Sequence, residues 1–309
     1  MRIFTDYPAG AAPPFDSAHV RERIRGNLAG VRSVIAIASA KGGAGKSVIS
    51  INIAAALALK GRKVAILDAD LNSPSVPRML GMKRERRLPM IEGIEPGAGP
   101  HGLRVVWSGM LAGGEPPPVS FVEENGNSIA PTKDVTAEMG YSEAMVRLLS
   151  QTQFGELDMV IIDLAPGLDR FHLLSAMVAL DAVLLVCHPS GIAADAARHA
   201  IDIAKAAGSP RVGIAENMAG YNCDGCRSVR PLFPEGDLPG VAQSGSVPIL
   251  GRIPFEPRLA EASDRGALFV REWAGTPTGR ELDALAQRVE TLCARVQAAA
   301  SSARISDTD

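Results

Sequence analysis

Eight residues, 40–47, read AKGGAGKS, and their chemistry is that of a phosphate cradle. Gly42, Gly43 and Gly45 allow the backbone to turn its N–H groups, with that of Ala44, toward an anion, and a helix starting there adds its partial positive charge. Lys46 stands where a cation neutralises the β- and γ-phosphates, and Ser47 where a hydroxyl ligates Mg2+. The usual phosphate-loop pattern opens on glycine, whereas this one opens on Ala40. A second lysine, Lys41, precedes the glycines. With Lys46 committed to the loop's own phosphates, Lys41 is free to project outward, where a second nucleotide-bearing subunit can meet it; a solvated surface lysine is the alternative.

Asp68 and Asp70, in LDADLNSPSVPRMLG over 67–81, lie two apart at the end of an apolar run. Residues two apart on a strand share a face, so both can serve one site, holding Mg2+ through water or orienting an attacking water. For Asp70 a helix N-cap is the alternative. Asp163, after the apolar run in VIIDLAPG over 160–167, supplies a third carboxylate where a metal-binding aspartate of a phosphoryl-transfer site belongs. Lys41, Lys46 and Asp70 are thus the candidate catalytic residues, and Ser47, Asp68 and Asp163 the candidate Mg2+ ligands.

The other reactive pair is Cys223 and Cys226, in CDGC. Two thiolates do not complete a tetrahedral zinc site or a [4Fe-4S] cluster, both of which commonly take four ligands. Either the same chain supplies two more, or two chains share one site. Cys187 ends an apolar run and Cys293 falls in the last helical pattern, so both read as packing thiols. Shared zinc and a redox pair remain open beside an iron-sulfur cluster.

These residues need a scaffold. Apolar runs at 33–39, 63–68, 103–108, 158–163, 181–187, 211–216 and 247–253 read as strands, apolar nearly throughout, as in a parallel sheet covered on both faces. Helical patterns fall at 46–59, 142–149 and 193–207, with a long final helix over 278–299. The alternation predicts a doubly wound α/β fold: a mostly parallel sheet with helices on both faces. The loop at 40–47 then follows a strand and opens a helix, as a phosphate loop must. Residues 1–30 read as an N-terminal extension and 31–300 as one P-loop domain. Within it, 82–138 is an irregular excursion carrying KRERR and AGGEPPP, and 217–240 is the loop around the cysteines; 301–309 is a fraying tail.

Composition narrows the function. The 309 residues are 46% hydrophobic, enough for a large core, and 32 Lys+Arg against 34 Asp+Glu leave no surplus of the kind a dedicated nucleic-acid binder carries. No signal-peptide core opens the chain and no run approaches a charge-free span, so a cytoplasmic location with neither nucleic-acid nor membrane partner is expected. Leu282, Leu285, Val289, Leu292 and Val296 recur at helical spacing opposite a face of mixed charge and small residues. That pattern reads as core packing rather than membrane binding.

Together, VIAIASAKGGAGKS, ILDADLNSPSVPRMLGM, ENM followed by C-x-x-C, and VPILGRIPFEPRLAEASDRG resemble the Mrp/ApbC family of iron-sulfur cluster carrier ATPases, over about residues 30–266. The K-G-G-x-G-K-S loop is similar to the deviant Walker A loop of the wider class that includes MinD, ParA and the nitrogenase iron protein. The resemblance implies a homodimer that binds and hydrolyses ATP, with Lys41 crossing to the partner's nucleotide and Asn217 and the Pro254 region contacting adenine. It also implies a [4Fe-4S] cluster held by Cys223 and Cys226 across the two-fold, for transfer to apo-proteins. The family's second switch usually reads D-x-P-P-G-T-G-D, but here it is DLAPGLDR over 163–170; its W-R-G-P segment is not found, and its T-P-Q is HPS at 188–190. Hydrolysis is therefore expected to be slow or differently coupled, and His188 reads as a structural histidine before a ligand. Two rivals stand beside the carrier: a ParA- or MinD-like positioning ATPase and a bacterial tyrosine kinase. The kinase would end in a tyrosine cluster, whereas the tyrosines here are Tyr7, Tyr141 and Tyr221.

Overall fold

The computed structural model describes residues 18–82, 93–111, 136–208, 211–222, 229–234 and 236–305. In chain order the elements are α1 (Ala18–Asn27), β1 (Val34–Ala38), α2 (Lys46–Leu59), β2 (Val64–Ala69), α3 (Val76–Met79), β3 (Gly97–Ala98), β4 (Arg104–Val106) and α4 (Thr136–Gln151). Then follow β5 (Met159–Leu164), α5 (Leu168–Met177), β6 (Ala182–Cys187), α6 (Gly191–Ala206), β7 (Val212–Asn222), β8 (Val229–Arg230), α7 (Leu238–Ser244), β9 (Ile249–Phe255), α8 (Pro257–Arg265), α9 (Phe269–Glu272) and α10 (Pro277–Ile305).

Every residue of β1, β2, β5 and β6 is buried. The sheet runs β3-β4-β2-β5-β1-β6-β7-β8, with β9 also on β7. All pairings are parallel except those of β3 with β4 and of β8 with β7. Strands buried on both sides need no polar alternation, which is why they read as unbroken apolar runs. One group of helices, α2, α9 and α10, packs together and reaches β2, β5 and β9; α5, α6 and α7 form another group that reaches β1, β6 and β7. From β1 the chain passes to β2 on one side of the sheet, and from β5 it passes over β1 to β6 on the other. Such a reversal opens a crevice at the carboxyl ends of the central strands, where ligands bind in this architecture.

Helix α2 is buried along most of its length, from Ile49 to Ala58. One polar side chain inside it, Asn52, donates to the Val48 carbonyl at 2.8 Å and accepts from the Val270 N–H at 3.3 Å, fastening α9 to α2. The apolar stripe of α10 is core: Leu282, Leu285 and Val289 are fully buried. Among the described residues no helix is long and apolar enough to cross a membrane.

The structure corrects four boundaries. The stretch read as an irregular excursion contains two strands of the sheet: β4, where a strand was expected at 103–108, lies parallel to β2, and β3 closes the edge. Helix α4 spans Thr136–Gln151, beyond the 142–149 pattern. The expected extension contains α1, which packs on α4 and buries Ile24. Helix α10 continues to Ile305, into the stretch read as a fraying tail.

Candidate active site

The loop at 40–47 leaves β1 and enters α2, as its sequence requires. Gly43 and Gly45 turn it in the left-handed region, at φ 78° and 84°, where a side chain would be strained. One local hydrogen bond and three contacts from other segments hold it and the residue before it. The Ser39 hydroxyl donates to the Lys41 carbonyl at 2.7 Å, and the Gly167 N–H donates to the Ser39 carbonyl at 3.3 Å. The Asn217 amide donates to the Ala44 carbonyl at 2.8 Å, and the His188 Nε2 lies 3.2 Å from the Gly43 carbonyl. With its carbonyls engaged this way, the loop is shaped before any anion arrives.

Lys46 is buried in the first turn of α2, while Lys41, Gly42 and Gly43 are exposed. Burial lowers the Lys46 pKa, and the carboxylates of Asp163 and Asp70 oppose that shift. The two lysines therefore face different surroundings: one is desolvated among carboxylates, the other stands in solvent.

Asp163 occupies the centre of the crevice, since β5 pairs it with Ile37 of β1 on one side and Asp68 of β2 on the other. Its Oδ1 accepts from the Ser50 hydroxyl at 2.9 Å, while its buried Oδ2 has no hydrogen-bond partner among the described residues. Burial raises its pKa; the hydroxyls of Ser47 and Ser50 pull the other way. An orphaned carboxylate oxygen facing a serine at a helix start fits a hydrated Mg2+, which would satisfy both. Asp68 differs. Its two oxygens accept from the Asp70 N–H at 3.1 Å and the Val76 N–H at 2.9 Å, so both are committed to the loop after β2. Asp70 lies past the end of β2, half-buried, where burial raises its pKa and Lys46 and Arg170 lower it. Of the three carboxylates it is the least buried.

On the other side of β1, Asn217 lies midway along β7 and Pro254 near the carboxyl end of the neighbouring β9, the β7–β9 register pairing Asn217 with Ile253. The resemblance gave Asn217 to adenine; its amide nitrogen here serves the phosphate loop. Beyond Asn217, β7 continues to Asn222, which pairs with Val229 of β8. Cys223 and Cys226 fall between these strands and lie outside the described residues. Cys187 and Cys293 are buried free thiols, each pushed up to about 12, chiefly by burial. Among the described residues no group of three or more His, Cys, Asp or Glu is placed to hold a metal.

Three residues escaped the sequence reading. Phe233 stacks on His188, with ring centroids 5.2 Å apart, so the chain returning from β8 rests against the phosphate loop's histidine. Tyr141 and Arg170 stack beside the carboxylates, the guanidinium carbon 4.1 Å from the ring centroid. Arg170 was visible as the last letter of DLAPGLDR; nothing in the sequence marked Tyr141 as its neighbour, or Phe233 as that of His188.

Known proteins extend this picture. The family model for the NUBPL iron-transfer P-loop NTPases matches residues 30–290. The iron-sulfur cluster carrier protein of Saccharolobus solfataricus is 30% identical over 298 residues, spanning 94% of this chain and 96% of its own. The human cytosolic Fe-S cluster assembly factor NUBP2 is 32% identical over 273 residues, covering 85% and 94% of the two chains. Among solved structures, a nucleotide-binding protein from Archaeoglobus fulgidus in complex with ADP superposes with a TM-score of 0.65 at 26% identity, covering 84% of this chain and 96% of that one. The cell division ATPase MinD of Pyrococcus furiosus shares the fold, with a TM-score of 0.57 at 21% identity over 84% and 99% of the chains. With its phosphate loop, its crevice and a family match over most of its length, this chain belongs to the NUBPL iron-transfer P-loop NTPases.

Proposed function

We propose that the protein is an ATP-dependent carrier of iron-sulfur clusters, working as a cytoplasmic homodimer that binds a [4Fe-4S] cluster as cargo and delivers it to apo-proteins. The observation that carries the reading is the path of β7: Asn217 grips the phosphate loop, and five residues later the same strand enters the hairpin that brackets the C-x-x-C. Nucleotide and cargo loops are thus linked along one strand, from its middle to its carboxyl end. The relatives named above, carriers and assembly factors of iron-sulfur clusters, support the same reading.

In this reading the backbone N–H groups of residues 42–45 and Lys46 bind the β- and γ-phosphates, a geometry that costs little rearrangement because the loop is already formed. Ser47 and Asp163 would hold Mg2+, which would supply neutralisation of phosphate charge. Asp70 orients the attacking water, and Lys41, standing in solvent, reaches the partner's nucleotide. Asn217 and Pro254 flank the base. Cys223 and Cys226 from each of two chains give the four thiolates that a [4Fe-4S] cluster takes.

Anaerobic reconstitution with iron and sulfide tests the cargo. Loading should approach about four iron and four sulfide per dimer, and Cys223→Ala should abolish it while ATP binding survives. Stoichiometric zinc without sulfide, or full iron loading of Cys223→Ala, would overturn the carrier reading. A positioning ATPase or a kinase would show no iron dependence on either cysteine.

A further inference from the structure

The phosphate face brings together Asp68, Asp70 and Asp163 around a single buried lysine, Lys46. With Asp70 and Asp163 ionised beside Lys46, a terminal phosphate arriving there meets more negative than positive charge until a divalent ion joins it. A second cation on this chain is therefore informative, and Arg170 is one.

Its placement follows from the backbone. The segment before α5 lies against the phosphate loop: the Gly167 N–H bonds the Ser39 carbonyl, and Pro166 is the nearest side chain to Gly42. Gly167, at φ 108°, turns the chain into α5, and Arg170 stands in its first turn. Side chains on a helix lean toward its N-terminus, here toward the phosphate loop. The guanidinium is held over the Tyr141 ring at 4.1 Å, yet makes no hydrogen bond or ion pair among the described residues. Stacking of this kind fixes the plane of an arginine while leaving its five N–H donors unspent. The ring beneath it carries a second unspent group, since the Tyr141 hydroxyl is buried, with the residue only 4% exposed, and has no partner among the described residues. Asp70 lies in the field of Arg170, which lowers its pKa, and Asp70, Asp68 and Asp163 all push the Tyr141 phenol further up.

We propose that Arg170 is a catalytic residue that contacts the terminal phosphate in cis, and that Tyr141 is the positioning residue that holds it there. The idea rests on the phosphate-site reading above. It also gives chemical content to the altered switch, where the family pattern D-x-P-P-G-T-G-D ends in an acid and this chain ends in Arg170. A planar guanidinium matches a phosphoryl group in two-point geometry and stabilises charge spreading onto its equatorial oxygens.

A contact to the terminal phosphate alone appears in the ratio of ATP to ADP affinity. Calorimetric titration of the full chain with Mg2+ and either ADP or a non-hydrolysable ATP analogue measures it. Arg170→Ala should weaken the ATP analogue roughly tenfold or more, the worth of one charge-assisted hydrogen bond, and ADP by less than about twofold. Arg170→Lys should recover part of the loss. Tyr141→Phe, which keeps the ring, should keep the ratio, and Tyr141→Leu should lower it without touching ADP. Should Arg170→Ala fail to fold by thermal unfolding, Arg170→Gln gives the same comparison with the side-chain length preserved. Equal weakening of both nucleotides, or an unchanged ratio, would overturn the proposal while leaving the phosphate site standing. Failure of the wild-type protein to bind either nucleotide would remove the site and this inference with it.

Discussion

The carboxyl edge of the sheet is built differently on the two sides of β1. Toward β5 and β2 the side chains are charged and partly unsatisfied: the buried Lys46, Asp68 and Asp163 with its orphaned oxygen, and the half-buried Asp70. Toward β6 and β7 the contacts to the phosphate loop are neutral: the His188 ring against the Gly43 carbonyl and Phe233, and the Asn217 amide on the Ala44 carbonyl, while the buried Glu216 pairs away from the loop with Arg252 at 3.2 Å. One side keeps interactions in reserve for a ligand, because a buried unpaired polar group is costly until something pairs it. The other makes its interactions at folding, and so sets the shape that the first side uses. Chemistry and positioning are divided by a single strand.

The division fails first, if it fails, at the charged side. Lys46→Ala should weaken ATP binding by roughly a hundredfold or more in direct titration, because it removes the buried cation from a site of carboxylates. Lys41→Ala should keep that affinity and lose turnover in a steady-state ATPase assay. Normal turnover in the Lys41 variant would return that residue to the surface, and tight binding by the Lys46 variant would end the phosphate assignment.

The neutral side can be probed through two glycines of similar backbone. Gly43 and Gly45 both have positive φ, but a Cβ at Gly43 meets nothing within 4 Å, whereas one at Gly45 would lie 2.3 Å from the Asn217 amide nitrogen. Gly43→Ala should therefore cost about 1 kcal/mol in denaturant unfolding, the strain of the left-handed region alone. Gly45→Ala adds the displaced Asn217 hydrogen bond and should cost about 2–3 kcal/mol. Equal costs would mean that the Asn217 clamp contributes nothing.

The smallest expected effect is a pH dependence. Asp68 is pushed up to about 8, by burial first and by Asp163 second. In the unfolded chain the same group loses its proton near pH 4, so between these values the folded state holds a proton that the unfolded state does not. Stability from this group is full at acid pH and declines as pH rises toward 8, by at most about 1.4 kcal/mol per unit. Burial lowers Lys46, which acts in the opposite sense but toward alkaline pH. Thermal unfolding of the nucleotide-free protein should show the decline between about pH 5.5 and 8, and Asp68→Asn should flatten it; an identical slope in the variant would place the proton elsewhere.

What the sequence made legible follows from how each part is stabilised. The central strands and α2 announce themselves because burial on both sides demands unbroken apolar runs, and the phosphate loop because its turn demands Gly43 and Gly45. The second half of β7 did not read as strand: Asn217 to Asn222 is polar and glycine-containing, and what extends it is pairing with β8 and β9. Helix α1 was missed because, of its ten residues, four of them Arg or Glu, only Ile24 is buried. The Tyr141–Arg170 stack joins residues 29 positions apart through tertiary packing, and neither spacing nor composition carries that information.

The committed oxygens of Asp68 have one more consequence. By accepting from Asp70 and Val76 they draw the segment 70–76 into a fixed loop before any nucleotide is present. Ordering a backbone costs roughly 1–2 kcal/mol of conformational entropy per residue, and here that loss falls within folding rather than within the encounter with ligand. Asp70 thus waits in place, and the free energy of nucleotide binding is not drawn down to assemble the residue that would use it.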